Sequence, residues 1–142
     1  MSKTWSIPKT TEQRIETLRV NAGDKVKAGD VVAEMRILKF QGEEMPVSDS
    51  FPPIPVKAPD DGVALFWPDA RKGVSLKEGR KVFSILSELE LKLLDETAGE
   101  AVRRKMFEAA SSFSYEGFEE LINAVSEAQV GVIVQSFKKR RG

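Results

Sequence analysis

Gly23–Met35 reads GDKVKAGDVVAEM, and 50 residues further on Gly73–Ile85 reads GVSLKEGRKVFSI. Four positions are identical, Gly23/Gly73, Lys27/Lys77, Gly29/Gly79 and Val32/Val82, while Val26/Leu76 and Met35/Ile85 keep apolar character. The spacing between the glycines is the same in both copies, so the pattern is an internal repeat. Each copy predicts turn, short strand, turn, strand: glycine supplies the positive φ of the turns, and the apolar residue between and after them points into a core. A β unit this thin cannot bury its apolar face alone. Two copies therefore predict two quasi-twofold halves packed on each other as a small sandwich.

Outward from the repeat, the composition changes near Leu86. All seven prolines, together with Gly23, Gly29, Gly42, Gly62, Gly73 and Gly79, lie before it. After Ser87, Leu, Glu, Ala, Lys and Arg dominate, which is the composition of helices. Over residues 88–113, Leu89, Leu93, Leu94, Ala101, Val102, Phe107, Ala110 and Phe113 fall near one helical stripe, behind a Ser87/Glu90 capping box, with an interruption at Gly99. Ser114 caps a second helix in which Phe118, Leu121, Ile122 and Val125 follow i, i+3, i+4, i+7 spacing. The VGVIV run at 130–134 fits either a helix or a strand. Two short helices rich in Leu, Phe and Val expose more apolar surface than a lone hairpin hides, so they must pack on the sandwich or on another subunit.

The 142 residues contain 22 Lys+Arg against 22 Asp+Glu and neither cysteine nor histidine. Thiol nucleophiles, disulfides, thiolate metal sites, serine triads and imidazole-ligated metals are thereby excluded, leaving carboxylate or lysine chemistry for any catalysis. Zero net charge argues against broad binding of nucleic acid or anionic membrane. No apolar run approaches the roughly 20 residues of a membrane-spanning helix, and the N-terminus lacks the apolar core of a secretory signal, so the expected compartment is the cytoplasm.

The words LRVNAGDKVKAGDVVAEM, VKAPDDGVALF and GVSLKEGRKVFSIL are similar to the two halves of the biotinyl/lipoyl carrier domains and their unmodified relatives, which share the barrel-sandwich hybrid fold. The resemblance covers about residues 13–86. It implies that the strand after the first glycine pair leads to the modified lysine, and counting along RILKF places Lys39 there, as an attachment site for biotin or lipoate. Arg36 and Leu38 depart from the words that usually precede that lysine, and QGEEMPVSDSFPPIPVK separates Lys39 from Ala58, where the family has only a few residues. GDKVKAG and APDDG also resemble adaptor subunits of membrane export systems, in which the fold is structural and unmodified. Those relatives carry a long helical hairpin at this place; residues 41–57, with Pro46, Pro52, Pro53 and Pro55, are too short and too proline-rich for one and predict an extended loop.

Each remaining candidate has a plain structural alternative. Lys39 is either a carrier lysine or a solvated strand lysine. Asp60 and Asp61 before Gly62 are a turn rather than an acid–base pair. In the insertion, Phe51 and Ile54, with Glu43, Glu44 and Asp49 nearby, suit a protein-recognition loop or a cover over the sandwich. Trp5 and Trp67 read as packing residues. Lys138, Lys139, Arg140 and Arg141 read as a solvated basic tail suited to a helix C-terminus.

The expectation is an α+β chain: a barrel-sandwich hybrid domain over 13–86 with an insertion at 41–57, a helical extension over 87–137 and a basic tail over 138–142. Its expected role is non-catalytic, the assembly of a larger complex or self-association, with Phe51, Ile54, Phe118, Leu121, Ile122 and Val125 meeting the partner and no metal or cofactor. The alternative is a biotin or lipoyl carrier modified on Lys39, serving a carboxylase or acyltransferase complex.

Overall fold

The computed structural model describes residues 3–40, 52–110 and 112–126. The expectations for Glu43, Glu44, Pro46, Asp49, Phe51, the 130–134 run and the basic tail lie outside the described residues. Among the described residues eight strands come first: β1 (Lys3–Ser6), β2 (Thr11–Leu18), β3 (Lys25–Val26), β4 (Val31–Phe40), β5 (Ile54–Lys57), β6 (Gly62–Phe66), β7 (Ser75–Lys77) and β8 (Lys81–Leu86). Three helices follow among them, α1 (Glu88–Ala98), α2 (Glu100–Ala110) and α3 (Tyr115–Ser126). The fold is mixed α+β, with two open antiparallel four-stranded sheets in the orders β1-β8-β6-β3 and β5-β4-β2-β7.

The duplication seen in the sequence is a symmetry of the sheets. Exchanging β2 with β6, β3 with β7, β4 with β8 and β5 with β1 turns one strand order into the other. The hydrogen bonds obey the same exchange. Gly23 N–H donates to the Ala64 carbonyl at 2.8 Å and Gly73 N–H to the Ile15 carbonyl at 2.7 Å. Ala64 N–H donates to Asp24 O and Ile15 N–H to Val74 O, both at 3.0 Å. Gly29 N–H to Ala58 O and Gly79 N–H to Ile7 O are both 2.9 Å. The turn glycines have φ of 93° at Gly23 and Gly29, and 85° and 80° at Gly73 and Gly79, a region that side chains disfavour. Each half thus binds its turns to a strand of the other.

Between the sheets lies one core, in which Ile15, Val32, Met35 and Leu76 from one sheet meet Val26, Ala64, Phe83 and Ile85 from the other. The strand region begins earlier than residue 13: β1 pairs with β8, and Trp5 stacks on Phe83 with centroids 6.0 Å apart. A strand reading Lys-Thr-Trp-Ser has a single apolar residue and so gives no alternation to read.

The helices form a layer on the opposite face of the first sheet. Val63, Leu65, Trp67 and Leu86 share a second core with Leu94, Met106, Phe107, Phe118, Leu121, Ile122 and Val125. Trp67 lies 4.8 Å from the Phe118 ring and 5.0 Å from the Tyr115 ring, and Lys81 pairs with Glu119 at 2.9 Å. Phe118, Leu121, Ile122 and Val125, expected to meet a partner, are all buried within the chain, where they cover the apolar outward residues Val63, Leu65, Trp67 and Leu86.

Local signals set the helix ends. The Ser87/Glu90 capping box is formed, Gly99 at φ 85° separates α1 from α2, and Ser114 Oγ accepts from Gly117 N–H at 3.0 Å at the start of α3. The expected stripe is displaced on α1, where Leu89 is 75% exposed, Ala101 on α2 is exposed as well, and Glu90 is buried. The capping box turns Glu90 back toward Ser87 on the covered side, so Leu91 and Leu94 meet the core and Leu89 points away.

Candidate functional site: an apolar groove between two sheet edges

The strand β5 is the edge of one sheet and β1 the edge of the other. Between them opens a groove of about 480 Å³, lined by Trp5, Pro8, Thr11, Gln13, Ile37, Ile54, Pro55, Val56 and Lys57. Ile54 is 45% exposed on its rim. The floor is polar but satisfied: Gln13, only 5% exposed, donates from Nε2 to Thr11 Oγ1 at 3.2 Å, and Thr11 Oγ1 donates to the Pro8 carbonyl at 2.8 Å. What the groove offers a ligand is therefore mainly apolar side chain and aromatic surface.

A bulge at Leu38 sets how β4 borders this groove. Gln13 pairs with Ile37 and Glu12 with Lys39, so Leu38 is the extra residue. Beyond it Phe40 pairs with Thr11. Cross-strand partners share a face, so Phe40, 40% exposed, lies on the same side of β4 as the groove. Lys39 takes the other face, opposite Glu12, whose second neighbour on the ladder is Lys77. It is exposed, and its amine makes no ion pair with a described residue. Lys39 is held in the β2–β4 ladder, beyond the last β4–β5 pair, Met35 with Ile54.

Both edges are blunted against strand addition. Pro55 has no N–H to donate from the middle of β5, and Lys57 and Lys3 place charges on the two edge strands. A ligand of this groove is thus held by side-chain contact.

The outer face of the β5-β4-β2-β7 sheet is closed off in another way, by charge pairs. Arg14 donates to Glu16 from Nε at 3.0 Å and Nη2 at 2.6 Å, Arg36 Nε reaches the same oxygen at 2.9 Å, and Arg19 pairs with Glu34 at 2.6 Å. Hydrogen bonds from Arg14 first, and then from Arg36, hold the Glu16 carboxyl below its ordinary range.

The aspartates serve turns. Asp60 Oδ1 accepts from Asp61 N–H at 2.9 Å, and Asp61 Oδ1 accepts from Ala28 N–H at 2.8 Å, tying the second half's entry turn to the first half. A cavity of about 280 Å³ beside them is lined by Lys25, Lys27, Asp30, Asp61 and Glu88 among others, but Asp30 is likewise engaged, accepting from Lys27 N–H at 2.9 Å. Among the described residues no three acidic side chains gather as a metal site, and no helix is long and apolar enough to cross a membrane.

Of the residues singled out from sequence, Ile54 lies on the groove and Lys39 near its β4 end, while Phe118, Leu121, Ile122 and Val125 sit beneath the helical layer. Trp5 and Ile37 also line the groove, and Phe40 lies on its side of β4; none was legible as a site, since β1 and β4 are far apart in sequence and belong to different sheets that meet only on folding. No protein-family model and no curated protein matches the chain.

Proposed function

We propose that this chain is a non-catalytic interaction module of the cytoplasm, built on a barrel-sandwich hybrid of the biotinyl/lipoyl type, and that its protein partner seats apolar side chains in the groove between β1 and β5. The observation that carries the reading is the contrast between two apolar surfaces. The helical face is spent inside the chain, whereas Ile54 and Phe40 stay 45% and 40% exposed beside an open groove. Clustered exposed apolar groups with a polar surround mark contact surfaces. The fold assignment is supported by the two glycine-turn halves and their exchanged hydrogen bonds. The test is quantitative capture from the native host with the immobilised chain. Ile54→Asp with Phe40→Asp removes the captured protein, while Leu89→Asp, which charges the exposed side of α1, leaves it; equal capture by both overturns the reading.

The second reading, a carrier modified on Lys39, is favoured by one observation, an exposed amine that makes no ion pair among the described residues. It fits covalent attachment, which needs only an accessible primary amine. The group would be joined through Lys39 Nζ as an amide, and the flanking Arg36 and Leu38 set this strand apart from the words that ligases of that family read. Intact-mass measurement after coexpression with biotin and lipoyl ligases decides it: an added acyl mass that disappears in Lys39→Ala supports the carrier, and an unmodified chain rejects it.

A further inference from the structure

A second apolar opening lies elsewhere, where the helical layer meets the loop after β6. It is a cavity of about 200 Å³ whose walls include Leu65, Trp67, Pro68, Phe107 and Ala110, with Arg71 at its edge. For scale, a dry cavity of about 150 Å³ admits a benzene molecule. The walls are almost wholly apolar; Trp67 Nε1–H is already committed to Ser84 Oγ at 2.9 Å.

The charge at the rim is what selects a ligand. On the loop Pro68–Gly73, Asp69 is neutralised by Arg80, whose guanidinium also lies 3.6 Å from the Tyr115 ring centroid. Arg71 and Lys72 are exposed and have no ion pair with a described residue. A guanidinium at the mouth of an apolar cavity, with no ion-pair partner among the described residues, complements a molecule with an apolar body and one anionic end, and its planar donor fork suits a carboxylate. We infer that this cavity binds a small aromatic carboxylate, with the ring against Trp67 and Phe107 and the carboxylate on Arg71. The inference is independent of the groove reading.

Benzoate is the probe, and the indole N–H resonances of uniformly labelled protein are the readout. Trp67 lines the cavity and Trp5 does not, so the two indoles provide signal and internal control in one sample. Benzoate is expected to shift Trp67 saturably and leave Trp5 unmoved, with a dissociation constant of about 1 mM, as suits so few heavy atoms. Arg71→Gln, a surface change, is expected to weaken benzoate about five- to tenfold and leave the weaker binding of benzyl alcohol unchanged. Ala110→Leu fills the cavity and is expected to abolish both. No Trp67 shift by about 10 mM benzoate, equal binding of benzoate and benzyl alcohol, or a wild-type affinity in Arg71→Gln overturns the inference. If Ala110→Leu does not fold, the Arg71→Gln comparison decides alone.

Discussion

Truncating Phe118 to alanine tests whether the helices belong to the sandwich or merely follow it in the chain. The ring is 0% exposed and lies 4.8 Å from the Trp67 indole at an interplanar angle of 49°. Removing a fully buried phenyl ring costs about 3–5 kcal/mol, from lost transfer energy and the cavity left behind. Of that, about 0.5–1.5 kcal/mol belongs to the tilted ring pair with Trp67. For a chain of this length, about 2–5 °C of melting temperature accompanies each kcal/mol, so the midpoint should fall by roughly 6–25 °C. The assay is urea and thermal unfolding followed by far-ultraviolet circular dichroism and by tryptophan emission in a Trp5→Phe background, which isolates Trp67. Leu89→Ala is the control: at 75% exposure it should change stability by no more than about 0.5 kcal/mol. A loss below about 1 kcal/mol in Phe118→Ala, or an equal loss in the two variants, refutes the docking of α3 on β6 and β8.

Two further outcomes follow from single positions. At Gly62 a Cβ would stand 2.1 Å from the Leu86 carbonyl oxygen, so Gly62→Ala must displace backbone where β6 meets β8 and should destabilise by about 2–3 kcal/mol or more in urea unfolding; an unchanged midpoint contradicts this close approach. Glu16, held by Arg14 and Arg36 below its ordinary value of 4.5, contributes stability that is complete above that value and is lost as pH falls through the lower folded-state value. The stability gap between wild type and Glu16→Gln should therefore hold at neutral pH and begin to close below about pH 4.5, and a gap that widens on acidification would count against the pairing.

The repeat was legible because turn geometry restricts residue choice: the glycine pairs at 23 and 29, and at 73 and 79, have positive φ and could be counted in the sequence directly. Helix ends were legible for the same kind of reason, since Ser87, Gly99 and Ser114 act on their own neighbours. What sequence left open was whom the apolar helical face meets. Spacing at Phe118, Leu121, Ile122 and Val125 identifies a stripe that must be covered, and periodicity is identical whether the cover is the same chain or another. The outward residues Val63, Leu65 and Trp67 held the answer, because β6 is apolar on both faces, as GVALF shows once it is known to be a strand with a core on one side. The bulge at Leu38 was hidden, since a one-residue insertion leaves no mark in composition.

The crossed seam between the halves bears on assembly. A polypeptide with one glycine-turn unit has, at each crossing, a donor whose acceptor lies in the other copy, as Gly23 needs Ala64 and Gly73 needs Ile15. Two separate units must find each other by diffusion and come apart on dilution. Tethered in one chain, they meet by ring closure, whose entropic penalty grows only with the logarithm of the connecting length. Joining the copies thus makes a concentration-dependent encounter an intramolecular one, and it lets the two edges bordering the β1–β5 groove diverge in sequence, which identical copies cannot do.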